Sequence, residues 1–204
     1  LTADGTMTIS GKGAMKNYDA NNSPVAQKTD SVKKVVIQEG VTSIGDYAFF
    51  DCSNLTDITI PESVTSIEEC AFQNCSSLTD ITIPGSVTSI GDSAFFECAE
   101  LTSINIPEGV TSIGKHTFFE CAELTSITIP KSVISIGEFA FYNCTGLTSI
   151  TIPRSVTSIG RCAFSGCSNS LEITVSCDST LKKDAFGNAS EKVKYRHSLV
   201  KTDA

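Results

Sequence analysis

Tryptophan is absent from this 204-residue chain, and histidine occurs only at His116 and His197. No apolar run approaches the roughly 18 residues that a membrane-spanning helix needs. Sequence motifs of catalysis are missing as well: there is no G-x-S-x-G elbow, no H-E-x-x-H pair, no phosphate-binding loop and no dinucleotide fingerprint. These absences lead us to expect a protein that is not an enzyme and needs no cofactor or metal.

Positive charge is also scarce. The chain has 15 Lys and Arg against 23 Asp and Glu, which gives a formal net charge of −8. Such a surface repels nucleic-acid phosphate and anionic lipid, so we expect neither a nucleic-acid partner nor insertion into a membrane. Residues 1–4 contain neither a starting Met nor a charged-then-apolar signal segment, as expected of a mature or trimmed chain.

What the chain does have is a repeat of 23 residues. Phenylalanine, cysteine and proline each recur at this spacing, with Gln38 in the first proline place. The three columns are Phe49, Phe72, Phe95, Phe118, Phe141 and Phe164; Cys52, Cys75, Cys98, Cys121, Cys144 and Cys167; and Pro61, Pro84, Pro107, Pro130 and Pro153. A fixed period of about 20 to 29 residues with an L-x-x-I-x-I core indicates a leucine-rich repeat.

Residues 124–144 show how one unit folds. Leu124, Ile127 and Ile129 form the L-x-x-I-x-I run, and the two isoleucines share one face of a strand. Pro130 ends this strand because it has no N–H to donate to a ladder. A lone coil of this length cannot bury its apolar side chains, whereas stacked coils can.

The second half of the unit predicts a return path. Val133 and Ile136 indicate a short extended segment on an opposite wall. Ala140, Phe141 and Cys144 stand at i, i+1 and i+4, which suits about one helical turn that faces inward. The predicted fold class is therefore mainly β with short helical turns, in a solenoid of 23-residue coils.

The repeat pattern degrades at both ends of the chain. Residues 1–31 predict an N-terminal cap with a β-hairpin, since turn signals at Asp4-Gly5 and Gly11-Lys12-Gly13 bracket a short β-prone run. Residues 32–168 hold six repeats, and residues 169–204 hold a degenerate repeat and a C-terminal cap. Terminal coils need a polar outer surface, so we interpret all three parts as one continuous domain.

The motifs resemble the BspA-like leucine-rich repeats of bacterial surface proteins, also called the TpLRR type. The resemblance rests on Leu101-Thr-Ser-Ile-Asn-Ile-Pro107, Val110-Thr-Ser-Ile-Gly114 and Ala94-Phe-Phe-Glu-Cys98. It implies a right-handed leucine-rich-repeat solenoid, a cell-surface or extracellular location, and adhesion or ligand binding. Family members bind matrix proteins such as fibronectin and fibrinogen, so the implied partner is a host or matrix protein or a glycan. We expect the chain to be a monomer.

The cysteine column invites a metal or redox interpretation. A metal site needs clustered ligands, as in C-x-x-C, and the chain has no such pair. A ladder of inward-pointing side chains has parallel Cβ vectors, which disfavours disulfides. We therefore interpret the six-cysteine column as a buried thiol ladder. Cys70, Cys162 and Cys177 stand outside it and are predicted to be the most accessible thiols.

Two candidate faces for partner binding emerge from the columns. The first, the aromatic stripe, lies at the turn and consists of Tyr47, Phe50, Phe96, His116, Phe119, Phe139 and Tyr142. It is either a protein-binding patch or packing between neighbouring turns that leaves ring edges partly covered. The second, the threonine face, consists of Thr56, Thr79, Thr102, Thr125 and Thr148. It suits a β-favouring filler surface, and a flat threonine array is also similar to ice-binding solenoids.

The function that these features favour is an extracellular, adhesin-like module that binds a protein and catalyses nothing. The alternative is a rigid structural spacer within a larger surface protein, because the columns are monotonous and poor in the Arg and Trp anchors of binding hot spots.

Overall fold

The computed structural model describes residues 1–23, 25, 28–176, 180–181 and 183–196. In this part of the chain there are two 3₁₀ segments, Thr29–Ser31 and Lys183–Lys192, the second broken by a kink at Gly187, and sixteen short strands. The strands are β1 (Thr6–Ile9), β2 (Gly13–Ala14), β3 (Lys34–Ile37), β4 (Val41–Ile44), β5 (Asp57–Thr59), β6 (Ser66–Ile67), β7 (Asp80–Ile81), β8 (Ser89–Ile90), β9 (Ser103–Asn105), β10 (Ser112–Ile113), β11 (Ser126–Thr128), β12 (Ser135–Ile136), β13 (Ser149–Ile152), β14 (Ser158–Ile159), β15 (Glu172–Ser176) and β16 (Val193–Arg196). None of the described helical segments is long and apolar enough to cross a membrane.

Each coil adds one strand to each of two parallel walls. The first wall contains β1, β16 and the odd-numbered strands between them, and the second wall contains the even-numbered strands from β2 to β14. Coil 1 contains β3 and β4, coil 2 contains β5 and β6, and so on to coil 6 with β13 and β14. The parallel register equals one repeat, so that Ser103 lies beside Ser126 and Ile113 beside Ile136. The predicted mainly-β solenoid of 23-residue coils is confirmed.

The hydrogen-bonded ladder of the first wall is interrupted twice. The strands pair as β1-β3-β5, as β7-β9-β11 and as β13-β15-β16. Between β5 and β7, and again between β11 and β13, neighbouring strands stay in contact without a ladder. The wall is therefore three short parallel sheets placed end to end.

The core lies between the two walls and is built from columns of identical residues. The Phe column stacks ring on ring from Phe49 to Phe164, with centroids between 5.3 and 5.7 Å apart and planes within 15°. Phe186 of the C-terminal 3₁₀ segment continues the stack at 6.3 Å from Phe164. Because each ring covers the next, the coils bury one another's apolar surface, which a single coil cannot do.

The turn that follows each second-wall strand buries the residues that were predicted to face inward. Its backbone conformation, however, is not the predicted helical turn. Ala140, Phe141 and Cys144 are fully buried, as predicted. The segment is not one helical turn: the N–H of Tyr142 donates locally to Phe139, whereas the N–H groups of Phe139 and Phe141 donate to carbonyls of the next coil. A left-handed φ of 55° at Phe139 permits this alternation. The backbone thereby ties each coil to the next instead of closing on itself.

The predicted β-hairpin of the N-terminal cap is wrong. The strand Thr6–Ile9 pairs in parallel with Lys34–Ile37, and Gly13–Ala14 pairs in parallel with Val41–Ile44. The turn-forming glycines, Gly11 among them with a φ of 149°, carry the chain from the first wall to the second. The cap thus repeats the geometry of a coil. Its two strands pair with the edges of coil 1, whose backbone N–H and C=O groups would otherwise stay unpaired.

Thr117 interrupts a buried column that is alanine in the other coils, at Ala48, Ala71, Ala94, Ala140 and Ala163. Its side chain is 1% exposed, and its Oγ1 has no hydrogen-bond partner in the described structure. Replacing Thr117 with alanine is therefore expected to raise the free energy of unfolding by about 1 kcal/mol, because an unsatisfied buried hydroxyl disappears.

Urea unfolding followed by circular dichroism measures this change. The isosteric variant Thr117→Val serves as the control, since it removes the hydroxyl and keeps the volume. A loss of stability in both variants would mean that the hydroxyl is satisfied in solution.

Candidate binding surfaces

The aromatic stripe forms an ordered stack on coils 3 to 5. The rings of Phe96 and Phe119 lie 4.6 Å apart with an interplanar angle of 1°, and Phe119 and Tyr142 lie 4.9 Å apart at 12°. In the neighbouring column His116 stacks on Phe139 at 5.3 Å and 6°. All five side chains are half-buried. Their faces cover one another, and part of each side chain stays exposed to solvent.

The two columns of the stripe also contact each other. His116 lies 5.7 Å from Phe119, and Phe139 lies 5.6 Å from Tyr142, with steep interplanar angles of 59° and 63°. Such tilted pairs are favoured because the edge of one ring carries positive and the face of the other negative partial charge. The stripe on coils 3 to 5 is thus a single connected ring surface, as the three-residue spacing predicted.

Tyr47 and Phe50 do not join that surface. Their rings contact each other at 5.6 Å on coil 1, but Cys70 and Gln73 of coil 2 stand between them and the rings of coil 3. A hydrogen bond with Cys70 raises the pKa of Tyr47 to about 12. The seven predicted residues therefore form two separate patches, a pair on coil 1 and the larger stack on coils 3 to 5.

Arg161 extends the larger patch onto coil 6. Its guanidinium carbon lies 5.6 Å from the centroid of the Phe139 ring. A guanidinium over a ring face is stabilised by the ring quadrupole. The sequence pattern did not point to this residue, because its column otherwise holds Asp46, Glu69, Asp92, Lys115 and Glu138, which are charged in both signs.

An open depression of about 490 Å³ runs beside the stripe. Ala99 and Ala122 lie along it, with Glu97 and Glu120 next to the stacked rings. Asn143 donates a hydrogen bond of 3.2 Å to Glu120. No ion pair of the described residues involves these two glutamates. The ring surface therefore has an acidic flank.

The threonine face is exposed, but several of its hydroxyls are already used. Thr56, Thr102 and Thr125 each donate to a carbonyl of the preceding coil, over 3.2, 3.0 and 3.2 Å respectively. These bonds run parallel to the ladder and link adjacent coils. The column accordingly stabilises the wall, and it offers a partner mainly methyl groups.

The six-cysteine column is a buried thiol ladder, as predicted. Five of its thiols donate to a Phe carbonyl of an earlier coil over 3.0 to 3.2 Å: Cys75, Cys98, Cys121, Cys144 and Cys167. Burial raises the pKa of Cys98 to about 12. In the described part of the chain no group of three His, Cys, Asp or Glu side chains is arranged to hold a metal ion.

Of the three remaining cysteines, Cys70 contradicts the prediction of an accessible thiol. Cys70 is only 4% exposed, because it lies in the column between Tyr47 and Ser93 of the neighbouring coils. Burial raises the pKa of its thiol. Cys162 is half-buried, and Cys177 lies outside the described residues. The prediction of an accessible thiol is therefore wrong for Cys70.

Parallel strands in a register of one repeat, over a core of identical columns, define the chain as a leucine-rich-repeat solenoid. The sequence profile of the "BspA type Leucine rich repeat region" matches residues 25–122 and 88–197, in six copies. The chain belongs to the BspA-type leucine-rich-repeat family, as its motifs implied.

Two solved structures are similar over most of the chain. A leucine rich cell surface protein from Faecalibacterium prausnitzii A2-165 is 38% identical, with a TM-score of 0.71 over 88% of this chain and 52% of that protein. The leucine-rich-repeat protein of T. pallidum is 25% identical, with a TM-score of 0.65 over 97% of this chain and 95% of that one. This chain thus spans about half the length of the F. prausnitzii protein. No curated protein matches it.

Proposed function

We propose that the chain is a protein-binding module of a cell-surface protein, without catalytic activity, and that the aromatic stripe on coils 3 to 5 is its contact surface. The observation that carries this proposal is the connected stack of Phe96, Phe119 and Tyr142. Aromatic side chains dominate binding hot spots because they bury much apolar area with few rotatable bonds. The surface location is supported by the F. prausnitzii relative, which is named a cell surface protein.

The stripe is better prepared for binding than the threonine face. Its rings already stack on each other and lose little conformational freedom when a partner covers their edges. The hydroxyls of Thr102 and Thr125 are engaged with the backbone and would have to be released before they could bond to a partner. A partner that covered the stripe would remove apolar ring surface from water at no such cost.

The partner proposed for this surface is a host or matrix protein outside the cell. It would lay apolar side chains against the ring edges and place basic groups beside Glu97 and Glu120, since these carboxylates flank the rings. Charge complementarity of this kind steers association and adds specificity. We propose that the chain acts as a monomer in this role.

A binding experiment tests the contact surface. The purified chain is measured against immobilised fibronectin and fibrinogen, with a coil-scrambled chain as the blank. The double variant Phe96→Ala, Phe119→Ala is expected to bind about tenfold more weakly or worse, because two stacked anchors are removed. The matched control Thr102→Ala, Thr125→Ala is expected to keep the affinity of the parent chain. Weakened binding in the threonine variant alone would place the contact on the other face.

A rigid spacer is the second candidate function. It is favoured by the observation that the chain spans only 52% of the F. prausnitzii relative, so that other parts of a longer protein could carry the binding site. The uniform columns of both walls also suit a spacer. A folded chain that binds none of the matrix proteins would support this function against the first.

A further inference from the structure

A second surface feature lies away from the stripe, on the first wall. A groove of about 1070 Å³ opens on coils 5 and 6, along the strands β11 and β13. This is one of the two places where the ladder of the first wall is interrupted. Its polar lining includes Ser126, Thr128, Lys131, Ser149, Thr151 and Arg154.

The groove is cationic within an acidic protein. Lys131 and Arg154 occupy the same repeat position, and both are exposed. In the preceding coils this column holds Glu39, Glu62, Gly85 and Glu108, so its charge changes sign where the groove begins. No ion pair of the described residues involves either cation. Two positive charges without an ion-pair partner among the described residues therefore line one groove in a chain of net charge −8.

The hydroxyls of the groove are available, unlike those of the threonine face. Ser126 and Thr128 on coil 5, with Ser149 and Thr151 on coil 6, are exposed. Within the described residues these four hydroxyls are not engaged in intramolecular hydrogen bonds. Each hydroxyl can donate one hydrogen bond and accept others. The groove thus combines two cations with a small array of free donors and acceptors.

From this combination we infer that the groove binds a short acidic saccharide, one that carries carboxylate or sulfate groups. The planar guanidinium of Arg154 suits a bidentate contact with such a group, and Lys131 adds a second positive charge. The serine and threonine hydroxyls match the hydroxyls of the sugar rings. An acidic peptide is the less suitable occupant, because the groove is lined by no aromatic residue of the described chain that would anchor a side chain.

Calorimetric titration of the whole chain with tetragalacturonate tests the inference. The methyl-ester form of the same tetramer is the uncharged control ligand. The acid form is expected to bind about tenfold more tightly than the ester, and its affinity is expected to fall as salt is raised, since screening weakens contacts between exposed charges.

Two variants locate the site. Lys131→Gln with Arg154→Gln is expected to lower the affinity for tetragalacturonate about tenfold or more. Lys12→Gln removes an exposed cation of the N-terminal cap and is expected to leave the affinity unchanged. The stripe variant Phe96→Ala, Phe119→Ala is also expected to bind the saccharide normally, because the two surfaces are separate.

Three results would overturn the inference. Equal affinity for the acid and ester forms would remove the role of the cations. Unchanged affinity in the Lys131 and Arg154 double variant would place any binding elsewhere. Tighter binding of hexaglutamate than of tetragalacturonate would assign the groove to an acidic polypeptide.

Discussion

Replacing Phe118 with alanine is expected to lower the free energy of unfolding by about 4 kcal/mol. The side chain is fully buried, and its ring stacks between Phe95 at 5.7 Å and Phe141 at 5.4 Å. Alanine would leave a cavity in the middle of the column, and the two neighbouring rings are held by their own coils and cannot close it. Urea unfolding measured by circular dichroism gives the loss directly.

The adjacent residue supplies a matched control. Phe119 has the same side chain one position along, but it is half-buried in the aromatic stripe. Phe119→Ala is expected to cost about 1 kcal/mol, since part of its ring surface is already in water. Equal losses in the two variants would mean that the inner Phe column does not carry the core.

Alkaline pH is expected to destabilise the fold steeply above pH 9. Burial raises the pKa of Cys52 and of Cys98 from the ordinary 9.0 of a thiol to about 12, and it raises the pKa of Cys75 and Cys121 well above 9.0. The unfolded chain releases these protons near pH 9, whereas the folded chain holds them. The stability that the neutral thiols contribute is therefore fully present below pH 9 and is lost as the pH rises from about 9 to about 12.

The size of this loss follows from proton linkage. Each thiol removes about 1.4 kcal/mol per pH unit once the pH exceeds its unfolded pKa. Cys52 and Cys98 alone are then expected to remove about 3 kcal/mol by about pH 10, and Cys75 and Cys121 add to this. Urea unfolding at a series of pH values, with a reducing agent present, measures the slope.

Cys98→Ala is the control for the linkage. The substitution is allowed to lower the free energy of unfolding at neutral pH. Above about pH 9 it is expected to reduce the slope of that free energy against pH by about one proton, because the unfolded chain has one thiol fewer to ionise. A slope that is the same with and without Cys98, or a stability that does not change up to about pH 10, would show that the ladder is open to solvent and titrates normally.

Much of the fold could be predicted because the repeat fixes which residues of neighbouring coils lie beside each other. A register equal to the repeat places each Phe on the next Phe and each Cys below the next Cys, so inward positions follow from spacing alone. The side-chain pairs of the stripe, such as His116 with Phe119, could also be predicted from their three-residue offset. These features depend only on how side chains repeat along the axis.

Other features depend on backbone and on differences between coils. The left-handed φ of Phe139 is not visible in the sequence, since phenylalanine rarely adopts it, and so one helical turn was expected instead of a chain of tight turns. Glycines in the cap indicate a turn in the sequence, but the same pattern fits a hairpin and a connection from one wall to the other. The burial of Cys70 depends on its neighbours Tyr47 and Ser93 in other coils.

The groove of coils 5 and 6 depends on an exception to the repeat. Its signal was present in the sequence, where Lys131 and Arg154 replace the glutamates of earlier coils, but a change of charge in one column indicates a site only once the groove beside it is known. The contact of Arg161 with Phe139 is of the same kind, since it depends on a side chain that bends across to the next column.

Hydroxyl-radical footprinting of the chain, free and bound to the matrix protein that it retains, tests the central claim most directly. Oxidation of Phe96, Phe119 and Tyr142 is predicted to fall in the complex, while oxidation of Tyr18 in the N-terminal cap stays constant as an internal reference. Unchanged oxidation of the three stacked rings in a saturated complex, or the lack of a complex with either fibronectin or fibrinogen, would contradict the assignment of the aromatic stripe as a protein-binding surface.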